Sequence, residues 1–149
     1  QMCIRDSSLG EFLALAVSLE HLSEKDNNSR AKVLADALDS ATSTFLLNDK
    51  SPARKLGKID NRGSHFYLAM YWAQEVSKQT IDKDLAAAFV PLAENLSLNE
   101  AKIIEELNAV QGSVCDVNGY YFVDESLASK AMKPSATLNK ALAILTVNA

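Results

Sequence analysis

Apolar positions recur at helical spacing along most of this chain. Beyond Ser8, the run Leu9, Phe12, Leu13, Leu15, Ala16, Val17 and Leu19 leaves hardly any polar stripe, which predicts a helix buried on several sides. Ser8 and Glu11 have the spacing of a capping box at its start. After the polar turn SEKDNNSR, Val33, Leu34, Ala37, Leu38, Ala41, Phe45 and Leu46 mark one face of a second, amphipathic helix. A third, from His65 to about Thr80, holds FYLAMYWA without a charge. In a chain this small, the first and third helices should each leave an apolar side uncovered.

The second half continues mainly α. Asp82 can cap a helix through Leu85, Phe89, Leu92 and Leu96, with a break or kink expected at Pro91. Ser97 and Glu100 form another capping box ahead of Ile103, Ile104, Leu107 and Val110, and Gly112 ends that helix. Around Asn118-Gly119, residues 113–123 carry Val114, Val117, Tyr120, Tyr121, Phe122 and Val123. This pattern suits one short extended segment or hairpin, the only strand signal in the chain. Asp124 caps a short helix to about Met132, and Ser135 starts a last one carrying Leu138, Leu142 and Leu145. Residues 1–7, QMCIRDS, show no periodicity. They are expected to be disordered or foreign to the native protein.

Charge alters this picture at one place. The chain holds 15 Lys and Arg against 19 Asp and Glu, yet Lys50, Arg54, Lys55, Lys58 and Arg62 all fall between the second and third helical patterns. Locally only Asp49 and Asp60 oppose them. Pro52 and Gly57 interrupt helix formation, so the segment is a loop, either ordered or floppy, with its cations exposed. Asn61 or Ser64 can cap the following helix, whose first N–H groups attract anions. Arginine beside such a terminus suits phosphate, because its planar fork matches phosphate oxygens bidentately. The plainer reading is a solvated basic loop that balances an acidic surface.

The remaining composition mostly excludes. A chain of 149 residues is one domain's worth of sequence, and its 48% hydrophobic content is enough for a core. Net charge of -4, pI near 5.1 and a single basic loop without interleaved aromatics argue against a nucleic-acid surface. Cys3 and Cys115 lack metal spacing and point to a reducing, cytoplasmic setting. No apolar run is long enough to span a membrane, and no signal-peptide pattern opens the chain.

Ordinary catalytic constellations are absent. His21 and His65 have no partner at metal spacing, and His65 reads as a capped structural histidine. Glu105-Glu106, Asp82-Asp84 and Asp124-Glu125 read as solvated faces and caps, without the geometry for acid-base work. Tyr67, Tyr71 and Trp72 read as core. On residues alone, the chain is a helical domain with an anion-binding loop, and a helical interaction module that docks an acidic partner is an open alternative.

Several stretches carry a resemblance. SLGEFLALAVSLEHL at 8–22, NDKSPARKLGKIDNRGSHFYLAMYWAQE at 48–75, ELNAVQG at 106–112, GYY at 119–121 and AMKPSATLN at 131–139 resemble, in order and spacing, the C-terminal part of the monomeric NADP-dependent isocitrate dehydrogenases. The resemblance implies oxidative decarboxylation of isocitrate to 2-oxoglutarate with NADP and Mg2+ or Mn2+, in a large, monomeric, two-domain bacterial enzyme. Residues 8–149 would be the C-terminal segment of one α/β domain of that enzyme. The other segments of the enzyme would be its partners in that domain.

The resemblance also implies site residues. Arg54, in Lys-Ser-Pro-Ala-Arg, matches a family position that binds NADP, and the 2'-phosphate that separates NADP from NAD is its expected target. Arg5 falls in register with a cofactor-binding arginine of a family Arg-Trp-Asp. Here the stretch reads Arg5-Asp6-Ser7, so the tryptophan is missing and Ser7 replaces the aspartate. Lys133 stands where the family usually has arginine before Pro-Ser-Ala-Thr. The family's metal-binding aspartates, isocitrate-binding residues and catalytic lysine and tyrosine have no counterpart in this chain, which on its own is expected to be inactive.

Overall fold

The computed structural model describes residues 3–119 and 121–147, with side chains over 9–119 and 121–145. The described residues form seven helices: α1 (Cys3–Lys25), α2 (Ser29–Leu47), α3 (Asn61–Lys78), α4 (Lys83–Leu98), α5 (Glu100–Ala109), α6 (Glu125–Met132) and α7 (Ala136–Val147). The mainly α expectation holds. Helix α3 is the centre, with α2 packed on one side and α4 on the other; α1 lies on α2, and α7 lies against α4 and α5.

The uninterrupted apolar run in α3 follows from that position. Phe66, Tyr67, Leu68, Met70, Ala73 and Val76 are all buried in it, joined by Leu38, Ala41 and Phe45 of α2, Leu92 and Leu96 of α4, and Ile103 and Leu107 of α5. The expectation that α3 leaves an apolar side uncovered is therefore corrected. For α1 it stands: Phe12 is buried against Phe45, edge to face at 6.0 Å, while Leu13, Leu15, Val17 and Leu22 are exposed.

Helix boundaries depart from the sequence reading where a residue could serve either as cap or as helix interior. Helix α1 already runs at Cys3, so Ser8 lies within it and not at its start. Ser97 lies within α4, where its hydroxyl donates to the Ala93 carbonyl, and α5 starts after Asn99 without a side-chain cap. Helix α4 passes through Pro91 as one element. Both Pro91 and Ala87, whose carbonyl loses its i+4 donor there, are exposed, so water can satisfy the freed oxygen. Asp124 and Ser135 do cap α6 and α7, accepting from the N–H groups of Ser126 and Leu127 and of Leu138 respectively.

The hairpin reading of 113–123 is also corrected. Among the described residues the segment holds no strand. Asn118 and Gly119 do turn the chain, with φ of 62° and 116°, and the Asp124 N–H donates to the Val117 carbonyl at 2.9 Å. A ladder would need facing side chains to pack, yet Val114, Tyr121 and Phe122 are almost fully exposed. Tyr120, part of the same expectation, lies outside the described residues.

Candidate functional site

The loop from Lys50 to Asp60 is ordered by four hydrogen bonds. The Ala53 N–H donates to the Ile59 carbonyl at 2.7 Å and closes the loop's neck. Ser64, fully buried at the start of α3, donates its hydroxyl to the Lys50 carbonyl at 2.7 Å. At the tip, the Gly57 N–H donates to Gln111 Oε1 and Gln111 Nε2 donates to the Lys58 carbonyl, both at 2.8 Å. Gly63 lets the loop lie close on α3: a Cβ there would stand 3.1 Å from Ile59 Cγ2. The choice between an ordered and a floppy loop is thus decided for order.

The five cations then separate by environment. Lys50 Nζ stands 4.1 Å from the centroid of the Tyr67 ring, in cation-π geometry. Arg62 is held on both sides, donating from Nε and NH2 to Asp60 Oδ2 at 2.9 and 2.6 Å and from NH1 to the Ala131 carbonyl at 3.0 Å. It thereby ties α6 to the start of α3. Arg54, Lys55 and Lys58 are exposed and make no side-chain hydrogen bond or ion pair with any described residue. Only three of the five cations are available to a ligand.

The helix terminus is less available than its sequence suggested. Helix α3 begins at Asn61, and its cap is Asp60, whose Oδ1 accepts from the Gly63 N–H at 3.0 Å. A carboxylate already sits on the helix N-terminus, so neither Asn61 nor Ser64 caps it and a second anion gains little there. His65 is structural, as its position suggested: Nδ1 lies 2.6 Å from the Asn61 carbonyl, and the ring packs edge to face on Phe12.

Arg54 borders a groove of about 780 Å³ between the loop and α6, lined also by Asp60, Arg62, Cys115, Ala128 and Met132. The groove has an apolar floor and an unpaired guanidinium on its rim, and such a rim can bind an anionic group of a partly apolar ligand. Arg5 lies in the backbone of α1, and its side chain is outside the described residues. Among the described residues, no three of His, Cys, Asp and Glu come together to hold a metal ion, and no helix is long and apolar enough to cross a membrane.

Sequence reasoning missed the partners that make this arrangement. Asp60, three residues before Gly63, had a cap's spacing but was counted only as a counter-charge. Gln111 left no signal of its own, because its role depends on backbone groups 53 and 54 residues away.

Comparison with known proteins identifies the family of this chain. Residues 2–143 match the family of monomeric isocitrate dehydrogenases. The chain is 61% identical over 143 residues to isocitrate dehydrogenase (NADP) 2 of Psychrobacter sp. (strain 13A), covering 96% of this chain and 19% of that protein. It is 58% identical over 142 residues to isocitrate dehydrogenase (NADP) of Azotobacter vinelandii, covering 95% of this chain and again 19% of the relative. With isocitrate dehydrogenase (NADP) 2 of Mycobacterium tuberculosis the identity is 52% over 139 residues, and the shares are 93% and 19%. The chain therefore spans about a fifth of the length of these relatives. On the extent of the family match and these identities, the chain belongs to the monomeric isocitrate dehydrogenase family.

Proposed function

We propose that the chain is the C-terminal part of an NADP-dependent isocitrate dehydrogenase, which converts isocitrate to 2-oxoglutarate, and that Arg54 binds the 2'-phosphate of NADP. The observation that carries the site reading is the state of Arg54: an exposed, unpaired guanidinium on a loop fixed at its neck and its tip, at the rim of a groove. A fork held without an internal partner can pair bidentately with a phosphate without first breaking a protein contact. Lys55 and Lys58 add positive charge beside it and raise the local concentration of an anionic ligand. NADP, when bound, supplies the hydride acceptor; this chain's part is to hold its phosphate end. Arg5 is a second candidate cofactor residue.

The divalent cation, Mg2+ or Mn2+, has no fitting ligand set among the described residues. We assign it, with the isocitrate site, to segments of the enzyme outside this chain. Those segments are also the natural cover for the exposed Leu13, Leu15, Val17 and Leu22 of α1 and for Val114, Tyr121 and Phe122. The complete enzyme is read as a cytoplasmic monomer that binds neither nucleic acid nor membrane. No observation favours the interaction-module alternative over this reading.

The reading makes the chain inactive alone, because the described residues bring together no group of carboxylates that could hold the divalent cation on which isocitrate would bind. Incubating the purified chain with isocitrate, NADP and Mg2+ should give no NADPH above a no-protein control. Turnover would overturn the assignment.

A further inference from the structure

We propose that Gln111 is the positioning residue of the Arg54 loop, and that its side-chain amide sets the preference of that loop for a 2'-phosphorylated dinucleotide. The inference rests on the reading of Arg54 as the phosphate-binding residue.

Gln111 sits just past α5, outside the groove that Arg54 borders. Its amide is fully used. Oε1 accepts from the Gly57 N–H at 2.8 Å, while Nε2 donates to the Lys58 carbonyl at 2.8 Å and to Asn108 Oδ1 at 2.9 Å. The Gln111 N–H also donates to the Asn108 carbonyl at 3.1 Å. An amide with both hydrogens and its oxygen engaged has one orientation, and it clips the loop's tip as a neighbouring strand would. Gly57 reaches that geometry at φ 75°, a region glycine enters without steric cost. Beside it, the Leu56 side chain leans over Gly112, whose own φ is 75°; a Cβ on Gly112 would stand 3.4 Å from Leu56 Cδ1.

The loop is therefore held at two places, the Ala53–Ile59 neck and the Gly57–Lys58 tip, and Arg54 lies between them. Without Gln111 the neck remains but the tip loses both anchors. The loop would then have to be ordered on binding, at a cost that falls on the ligand which needs Arg54. A dinucleotide without the 2'-phosphate would not bear that cost.

The test uses the full-length dehydrogenase that carries this segment, with Gln111→Ala, Gln111→Glu and, in parallel, Arg54→Ala. Two quantities are read: amide hydrogen exchange over residues 54–58 without nucleotide, and dissociation constants for NADP and NAD. For Gln111→Ala we expect faster exchange at Gly57, NADP binding weaker by roughly three- to tenfold, and unchanged NAD binding. Gln111→Glu keeps the acceptor for Gly57 but loses the donor to Lys58, so it should fall between wild type and alanine. Unchanged exchange in both Gln111 variants overturns the inference, and so does faster exchange with NADP and NAD affected equally. Wild-type NADP affinity in Arg54→Ala instead overturns the phosphate reading itself, while the exchange data still decide whether Gln111 holds the loop.

Discussion

The Tyr67 hydroxyl donates to Glu100 Oε1 at 2.8 Å, joining the buried centre of α3 to the first residue of α5. Lys50 Nζ lies 4.1 Å from the centroid of the same ring, so one aromatic side chain links the start of the basic loop to two core helices. Burial, and then the Glu100 carboxylate, push the Tyr67 phenol above the usual tyrosine range. The folded state thus holds this proton more tightly than the unfolded one. Its contribution to stability is complete below about pH 10, the unfolded value, and is lost as pH rises towards the higher folded value. Tyr67→Phe should cost about 1–2 kcal/mol at pH 7, and the gap from wild type should narrow above about pH 10. Urea unfolding of both proteins across that range checks it; a constant gap would mean the phenol does not stabilise the fold by this route.

Glu106 holds the start of α7 from α5. Its Oε2 accepts from the Ser135 hydroxyl at 2.6 Å and the Thr137 N–H at 3.2 Å, and its Oε1 from the Thr137 hydroxyl at 2.7 Å. These bonds, that of Ser135 first, hold the carboxyl below the usual glutamate range. The stabilisation is present above the unfolded glutamate value, near about pH 4.3, and is lost as pH falls through the lower folded value. Glu106→Gln should therefore lower the unfolding midpoint at pH 7 and converge with wild type in acid. Equal midpoints at pH 7 would remove Glu106 from the account of how α7 is held.

Arg62 and Arg54 should respond in opposite ways to truncation. Arg62 makes three hydrogen bonds, to Asp60 and to the Ala131 carbonyl, and its side chain is 21% exposed. Arg62→Ala should cost about 1–3 kcal/mol, because it takes the guanidinium from Asp60 Oδ2 and from that carbonyl. Arg54→Ala removes no side-chain hydrogen bond or ion pair to a described residue and should stay within about 0.5 kcal/mol of wild type. Thermal unfolding of the two variants separates the structural arginine from the one proposed to bind the cofactor. Equal losses would show that Arg54 supports the loop as well.

What the sequence made legible was chiefly what local chemistry decides. The apolar spacing of α2, the Asp124 cap of α6 and the Ser135 cap of α7 need only neighbouring residues. Ser8 and Ser97 carried the same local signal, but there the helices run on past them. Pro91 was tolerated where both it and Ala87, four residues before it, are exposed, a fact of packing and not of sequence. Residues 113–123 read as a short extended segment or hairpin from their composition, yet no facing strand occurs among the described residues. At the candidate site, the clustered cations and the Lys-Ser-Pro-Ala-Arg motif were visible, whereas the division into paired and unpaired cations was not. That division depends on Asp60, the Ala131 carbonyl and the Tyr67 ring being brought to Arg62 and Lys50 by the fold.

The most direct measurement of the central claim is steady-state kinetics of the full-length enzyme with NADP and with NAD, for wild type, Arg54→Ala and Arg54→Lys. A charge-assisted pair with the 2'-phosphate is worth about 1.5–3 kcal/mol, or about ten- to a hundredfold in affinity. Such a contact would be far from the hydride and equal in ground and transition states, so the loss should appear in KM for NADP with kcat largely kept. Arg54→Lys should recover only part, since an ammonium cannot make the bidentate contact. The account predicts a large rise in KM for NADP beside an almost unchanged KM for NAD. Equal losses with both cofactors, or none with either, would contradict it.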